Sequence, residues 1–274
     1  MPRAVFCSGE LALHRLRRDG ERPVHYLEFL KRLHSALEPR TYLEVGVRNG
    51  DSLALSRCSS VGVDPAFEIR RDLQNITELR RCTSDEYFSS LGERRPFGDL
   101  PIDLALIDGL HLSDYALRDF TNIERYCTWS SVIAIDDILP RNNDEGARER
   151  VTKAWTGDVY EVLHFLETHR PDLVLLRVDT EPRGMALVFC PDRERALSPD
   201  AMDALTRPLV MSDAHEVPTD VLERHGALMP ESVVASAVWD ALAMCRSNSD
   251  ERAGLAGRRL VRTLLDEFAP TPPS

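Results

Sequence analysis

The sequence lacks an excess of positive charge. It holds 34 Lys and Arg residues against 45 Asp and Glu residues, which gives a formal net charge of −11. Proteins that hold a nucleic-acid backbone do so with a broad basic face that displaces counterions. The composition therefore excludes nucleic acid as an expected partner, and it favours a small uncharged or cationic substrate.

Paired cysteines are also missing. The six cysteines form no C-x-x-C pair and have no histidines at zinc-finger intervals. We expect reduced core residues at positions 7, 58, 82, 127, 190 and 245.

No segment approaches the ~20 apolar residues of a membrane span, and no secretory leader is recognisable at the N-terminus. We expect a cytoplasmic protein with no membrane partner.

Helical and strand-like segments alternate along most of the chain. An amphipathic helix is predicted over 24–37, where Pro39 stops it. Strands are predicted at 41–47, 61–63, 79–82, 103–107 and 132–135. Such alternation implies crossover connections, and hence an α/β fold with a mostly parallel sheet.

The remaining half of the chain has three parts. A polar stretch at 140–150 precedes a predicted helix at 159–168 and is a candidate active-site lid. Two β-prone runs, 173–178 and 185–189, flank a Glu-Pro-Arg-Gly link that suits an antiparallel hairpin. We divide the chain into a main domain, 1–195, and a helical C-terminal extension, 196–274, that forms a cap or the interface of a homo-oligomer.

A glycine-marked turn follows the first strand. Gly46 removes a Cβ where a ligand must approach the main chain, and Gly50 permits a tight turn into a helix. The spacing is G-x-x-x-G, not the G-x-G-x-x-G of a dinucleotide site. A turn without a ligand fits this motif equally well.

Asp64 ends the second strand, where its carboxylate can accept both hydroxyls of a ribose. The alternative is a solvated aspartate. Glu44 and Asp64 would repel each other unless a cationic ligand or donor groups lay between them. S-adenosylmethionine supplies an ammonium, a sulfonium and a ribose.

Three further carboxylates follow buried strands. Asp108 follows the fourth strand, and Asp136 and Asp137 follow the fifth, so all three should meet at one edge of the sheet. Their repulsion would be relieved by a hard divalent cation, for which oxygen ligands indicate Mg²⁺. Joint ligation by Asp136 and Asp137 requires a bend at the strand end. In the alternative, Asp137 caps a turn and Asp136 binds only water.

His111, three residues after Asp108, is the candidate general base. A metal lowers the pKa of a bound hydroxyl, and a nearby imidazole can then take its proton. Ser113 is predicted to cap the next helix, which would place His111 just outside that helix. The alternative is a loop histidine bonded to backbone. The histidines at positions 25, 34, 164 and 169 are expected to be solvated or packed.

Several motifs, taken in order, resemble a class I S-adenosylmethionine-dependent methyltransferase. They are LEVGVRNGDS (43–52), GVDP (62–65), CTSDEYF (82–88), IDGLH (107–111) and IDD (135–137). Together with AWTGDV (154–159) and RPDL (170–173), they are most similar to the branch of macrolide-sugar O-methyltransferases. The resemblance covers roughly residues 24–190.

The resemblance implies a Rossmann-like methyltransferase fold, with a mostly parallel seven-stranded sheet and an antiparallel terminal hairpin. It implies S-adenosylmethionine-dependent O-methylation of a small-molecule hydroxyl, on a sugar or natural product. Asp64 would hold the ribose, and Ser84 and Asp85 would edge the adenine unless they cap a helix. Around the amino-acid moiety it places Glu44, Gly46, Asn49, Gly50 and Ser52.

In metal-dependent members, an Asp, a His three residues later and an acidic pair form the reaction centre. Their matches are Asp108, which also borders the cofactor, His111 as the base, and Asp136 with Asp137 as further Mg²⁺ ligands. Two alternatives remain open. One is a non-catalytic S-adenosylmethionine- or nucleotide-binding scaffold of the same fold; the other, a nicotinamide oxidoreductase, is disfavoured by the glycine spacing.

Overall fold

A computed structural model describes residues 23–211, 216–246 and 251–268. These residues contain a seven-stranded sheet in the order β3-β2-β1-β4-β5-β7-β6. The strands are β1 Thr41–Val45, β2 Ser59–Val63, β3 Thr77–Arg80, β4 Ile102–Ile107, β5 Cys127–Asp136, β6 Val174–Val178 and β7 Met185–Phe189. The first five are parallel, and β7 is antiparallel to both β5 and β6. The predicted fold class is confirmed.

Helices flank the sheet on both faces. They are α1 Tyr26–Leu37, α2 Ser84–Leu91, α3 Ser113–Glu124, α4 Glu161–His169, α5 Pro199–Val210, α6 Thr219–Leu222, α7 Pro230–Val234, α8 Val238–Arg246 and α9 Glu251–Leu265. The helix predicted over 24–37 is α1, which His25 caps by accepting a hydrogen bond from the amide of Leu27. Glu38 ends it in the left-handed conformation, at φ 46°.

The central strands are buried on both sides, as their continuous apolar runs require. Every residue of β1, β4 and β7 is buried. On one face Leu43 and Ala105 pack with residues of α2, α3 and α4, including Phe120 and Leu166. The opposite face is covered by α1 together with α7, α8 and α9.

The C-terminal helices thus share the core of the sheet. Trp239 of α8 is 3% exposed, and its ring lies 5.7 Å from that of Phe189 on β7. Its Nε1–H donates to the carbonyl of Val233 at 2.8 Å. On the other face, α5 packs against α3. The division at residue 195 and the assembly into a homo-oligomer stay predictions.

The described cysteines are free thiols, as predicted. Cys127 and Cys190 are buried, whereas Cys58 and Cys82 are half-buried. Cys7 and the side chain of Cys245 lie outside the described part of the structure. Among the described helices, none combines the length and the apolar character needed to cross a membrane.

Candidate active site

The carboxyl ends of β1, β2, β4 and β5 open into a cavity of about 970 Å³. The chain order of the strands reverses between β1 and β4, and ligands of open α/β sheets bind at such a switch point. Asp64, Asp108, Asp136 and Asp137 all line the cavity. The predicted meeting of these carboxylates at one edge of the sheet is therefore observed.

Asp108, His111 and Asp137 form a compact group. One potential ligand atom from each residue lies within 4.8 Å of the others. His111 Nδ1 is 3.0 Å from one carboxylate oxygen of Asp137, and Arg183 donates to the other oxygen at 3.1 Å. Asp137 therefore holds the imidazole on one side and is itself held on the other.

The bend needed at the end of β5 is present. Asp137 has φ 63°, in the left-handed region, directly after the last residue of the strand. This conformation breaks the alternation of an extended chain, so that Asp136 and Asp137 both line the cavity. Left-handed backbone at a residue with a side chain costs about 1 kcal/mol or more and is concentrated at functional sites.

The carboxylates are crowded enough to perturb one another. Burial, followed by the charges of Asp136 and Asp137, raises the pKa of Asp108 well above its usual range. Burial and Asp137 do the same to the pKa of Asp136. Among the described residues, the group whose ligand atoms lie within 4.8 Å of one another does not include Asp136. Its predicted role as a metal ligand stays a prediction.

The helix that follows His111 is capped by a residue that is distant in sequence. Ser113 is the first residue of α3, not its N-cap as predicted, and the N-cap Leu112 has no capping side chain. Instead Asp158 accepts hydrogen bonds from the Ser113 amide at 2.7 Å and from its hydroxyl at 3.1 Å. A buried carboxylate is a stronger partner than a hydroxyl for the positive end of a helix.

The predicted lid is tied to this helix. Arg148 bridges Asp158 and Asp114, at 2.7 Å to each. Glu145 is buried, and it accepts a hydrogen bond from the Arg141 amide at 2.9 Å and also pairs with the Arg141 guanidinium. The segment is thus a fastened loop beside the cavity, and its polarity serves these internal bonds.

In the structure the lid continues beyond the predicted stretch to residue 157, and this end of it touches the His111 loop directly. Gly157 has φ 56°, and a Cβ at this position would lie 1.6 Å from the carbonyl oxygen of His111. The Trp155 ring stands edge-on to the His111 ring at 5.7 Å. Its Nε1–H donates to the carbonyl of Ala147 at 2.6 Å. Lid and candidate base are therefore positioned together.

The turn after β1 differs in detail from its prediction. A Cβ on Gly46, at φ 92°, would lie 1.9 Å from the carbonyl oxygen of Asp108, so the close approach is to the β4 loop. Glu44 accepts hydrogen bonds from the hydroxyls of Tyr42 and Ser52, each at 2.7 Å. Burial raises the pKa of Glu44 to about 7.

Of this turn, Gly46 lines the cavity together with Arg48. The remaining predicted contacts of the amino-acid moiety are not among the described lining residues: Glu44, Asn49, Gly50 and Ser52. Glu44 and Ser52 are buried and bonded to each other, so they brace the turn from behind.

Asp64 is fixed by backbone donors. One of its oxygens accepts from the Arg48 amide at 2.7 Å, and the other accepts from the Ala66 amide at 2.6 Å. A carboxylate oxygen has two acceptor sites, so each oxygen retains one for a ligand hydroxyl. The geometry is compatible with the predicted hold on a ribose.

The predicted adenine edge, Ser84 and Asp85, lines the cavity but does not cap α2. Thr83 is the N-cap, in a capping box with Glu86. Ser84 instead donates a hydrogen bond to Asp119. Burial raises the pKa of Asp119 to about 7, and the hydrogen bond from Ser84 opposes this shift. Asp119 lines the cavity and was missed from the sequence. A carboxylate beside Phe120 on the buried stripe of α3 was the available signal.

Comparison with known proteins gives this fold and site a class. Residues 43–138, about a third of the chain, match a family model described as Methyltransferase domain. The segment begins in β1 and ends just beyond Asp137, so it spans the described acidic group. Residues 43–138 are thus similar to a methyltransferase domain, in agreement with the predicted class, an S-adenosylmethionine-dependent methyltransferase.

Solved structures similar to this chain include three methyltransferase or cofactor-bound proteins. An O-methyltransferase from Bacillus cereus in complex with SAH is 16% identical, covers 60% of this chain and 80% of its own, and has a TM-score of 0.47. Cofactor-bound Rv0187 from MTB is 17% identical over 61% and 80%, with a TM-score of 0.46. The O-methyltransferase TomG from Streptomyces achromogenes is 19% identical over 60% and 79%, with a TM-score of 0.42. No curated protein gives a significant match.

Proposed function

We propose that the protein transfers a methyl group from S-adenosylmethionine to a hydroxyl of a small molecule, a sugar or another natural product, with help from a divalent cation. The observation that carries this proposal is the group of Asp108, His111 and Asp137 inside the cavity of a methyltransferase domain. The expected location is the cytoplasm.

His111 is the proposed base. When Nδ1–H donates to Asp137, Nε2 is left unprotonated and can accept the hydroxyl proton of an acceptor. Asp137 stabilises the imidazolium that results, and Arg183 keeps Asp137 in place. This is the base and orienting-carboxylate arrangement that general-base catalysis requires.

The donor set fits a hard divalent cation. Asp108 and Asp137 would supply carboxylate oxygens, with Asp136 next to them. Burial, followed by the charges of Asp136 and Asp137, raises the pKa of Asp108. A bound Mg²⁺ would lower the pKa of the acceptor hydroxyl. Since His111 already pairs with Asp137, its Nε2 remains available for the proton.

The opposite half of the cavity suits the methyl donor. Asp64 would accept the ribose hydroxyls, and Ser84 and Asp85 would border the adenine; all three line the cavity. Holding donor and acceptor in line, with water excluded by the lid, supplies much of the rate of such transfers.

The test combines calorimetry with product analysis. S-adenosylmethionine should bind to the full chain, and a panel of sugars and hydroxylated natural products should yield a methylated product by mass spectrometry. EDTA should abolish turnover, and Mg²⁺ should restore it. His111→Gln and Asp108→Asn should lower kcat by about 10²–10⁴-fold, as for lost general-base or metal assistance. The exposed Asp99→Asn is the matched control.

Three results would contradict parts of this proposal. Turnover that ignores EDTA would remove the cation. Unchanged kcat in His111→Gln would remove the base. S-adenosylmethionine binding without methylation of any acceptor would favour the non-catalytic scaffold.

A further inference from the structure

We propose that the acceptor carries an anionic group, a carboxylate or a phosphate, and that Arg150 and Lys153 of the lid recognise it. This inference rests on the proposed function, since it names the substrate class of the same cavity. Both residues are exposed and line the cavity mouth.

The Arg150 guanidinium is held in place by the lid itself. It donates to the carbonyl of Lys153 at 2.9 Å and to that of Thr152 at 3.4 Å. Its central carbon lies 5.7 Å from the centre of the Trp155 ring. A guanidinium has five N–H donors, so several remain available for a ligand.

These two cations lack carboxylate partners within the described part of the chain, whereas neighbouring arginines are paired. Arg148 bridges two aspartates, and Arg183 lies 3.1 Å from Asp137 and 3.8 Å from Glu145. The chain as a whole carries a net charge of −11. The local field of these two cations attracts an anion although the whole molecule is negative.

The two cations lie at the end of the cavity where the acceptor would bind. The Trp155 ring is 5.7 Å from the His111 ring and 5.7 Å from the central carbon of the Arg150 guanidinium. The Trp155 ring therefore lies next to both the Arg150 guanidinium and the proposed base, His111. An acceptor could place its hydroxyl at His111 while its anionic group reaches Arg150 and Lys153. This local arrangement favours an anionic acceptor, whereas the net charge alone favours an uncharged or cationic substrate.

The chain offers a matched control for Lys153. It contains two lysines, and the other, Lys31, is exposed on α1. Lys31→Ala removes the same charge and the same side chain outside the lining of the cavity.

The experiment measures binding of paired probes to the full chain loaded with S-adenosylmethionine. The carboxylate arm compares 3,4-dihydroxybenzoate with its methyl ester, and the phosphate arm compares glucose 6-phosphate with glucose. At least one anion should bind more tightly than its neutral partner, by about threefold or more, the range of partly exposed ion pairs. Lys153→Ala and Arg150→Ala should each reduce that preference, and Lys31→Ala should leave it unchanged. The arm that shows the preference identifies the anion.

A second measurement reports on Lys153 directly. Reductive ¹³C-methylation labels both lysines while keeping their charge. The Lys153 resonance should move on addition of the preferred anion, and the Lys31 resonance should stay still in the same spectrum.

Equal or absent binding of acid and neutral probe in both arms would overturn the inference. If S-adenosylmethionine still binds, the proposed function stands, whereas loss of that binding in the wild type would contradict the proposed function itself. A Lys153→Ala variant with weakened S-adenosylmethionine binding would assign the cation to the methyl donor and would likewise overturn the inference.

Discussion

Gly157 and His111 meet through their backbones, and this contact leaves no room for a side chain on the glycine. Asp137 adopts a left-handed conformation that turns a second carboxylate into the cavity. At the scale of single residues, the site therefore depends on local backbone geometry as much as on reactive groups.

We expect Gly157→Ala to displace the lid from the His111 loop, because the new Cβ would lie 1.6 Å from a carbonyl oxygen. Destabilisation should exceed the roughly 1 kcal/mol of left-handed strain alone, and methyl transfer should fall. Urea unfolding and an activity assay measure both.

Gly98→Ala is the matched control, since Gly98 has φ 61° but nothing within 4 Å of a Cβ. It should show the strain cost without the loss of activity. Equal behaviour of the two variants would contradict the role of the Gly157 contact.

The meeting of Asp108, His111 and Asp137 could be predicted from the sequence, because carboxyl ends of parallel strands share an edge. Asp119 and the capping roles of Asp158 and Thr83 were missed. Asp158 and Asp119 have partners that are distant in sequence. Asp158 lies 45 residues from Ser113, and Asp119 accepts a hydrogen bond from Ser84. Local patterns carry no trace of such a partner.

At the scale of elements, α3 connects the candidate base to the lid. Its first amide and hydroxyl are bound by Asp158, which in turn pairs with Arg148. The Asp158 side chain is fully buried. A buried carboxylate with three partners fixes the start of the helix and the lid in one arrangement.

Asp158→Ala should cost about 2–4 kcal/mol of stability, because it removes a helix cap and leaves a largely buried arginine with one partner fewer. Chemical denaturation measures the free energy of unfolding. Glu86→Ala, in the exposed capping box of α2, is the control and should cost less. A smaller loss in Asp158→Ala than in Glu86→Ala would contradict this account.

Strands were predicted better than their ends. The predicted strand 132–135 is the last part of β5, which begins at Cys127 because its polar first half pairs at Ile102 before a register shift. Apolar runs reveal where a strand is buried. They do not reveal polar residues that extend it by hydrogen bonding alone.

At the scale of the whole molecule, buried ionisable groups give stability two opposing dependences on pH. His34 is buried with neither ring nitrogen hydrogen-bonded, and burial lowers its pKa to about 4 from 6.5. Burial raises the pKa of Glu44 to about 7 from 4.5.

Between pH 6.5 and 4 the unfolded chain binds a proton at His34 before the folded chain does, so stability falls as pH falls. His34→Leu should remove this dependence and gain about 2 kcal/mol at pH 5 relative to pH 7. Unfolding curves at several pH values test it. An unchanged slope would contradict the burial of a neutral His34.

For Glu44 the sign is reversed. The unfolded chain loses its proton first as pH rises from 4.5 to 7, so stability falls over that range. Glu44→Gln should flatten this part of the profile. The two variants therefore change the profile in opposite senses, and a common shift would indicate a general effect of mutation instead.

The C-terminal helices should be indispensable for folding, since they cover one face of the sheet. Trp239→Ala should cost about 3–5 kcal/mol, as for other buried aromatic side chains. Met244→Ala, at a residue 68% exposed on the same helix, should stay within about 0.5 kcal/mol. Calorimetric melting measures both, and equal melting temperatures would contradict the shared core.

The lid is fastened at both ends of a short stretch, by Arg148 to Asp158 and by Trp155 to the carbonyl of Ala147. The positions in between can change without loosening either anchor. Under the proposed function, exchange of this stretch alone would change which acceptors are methylated without altering the residues proposed to bind the methyl donor.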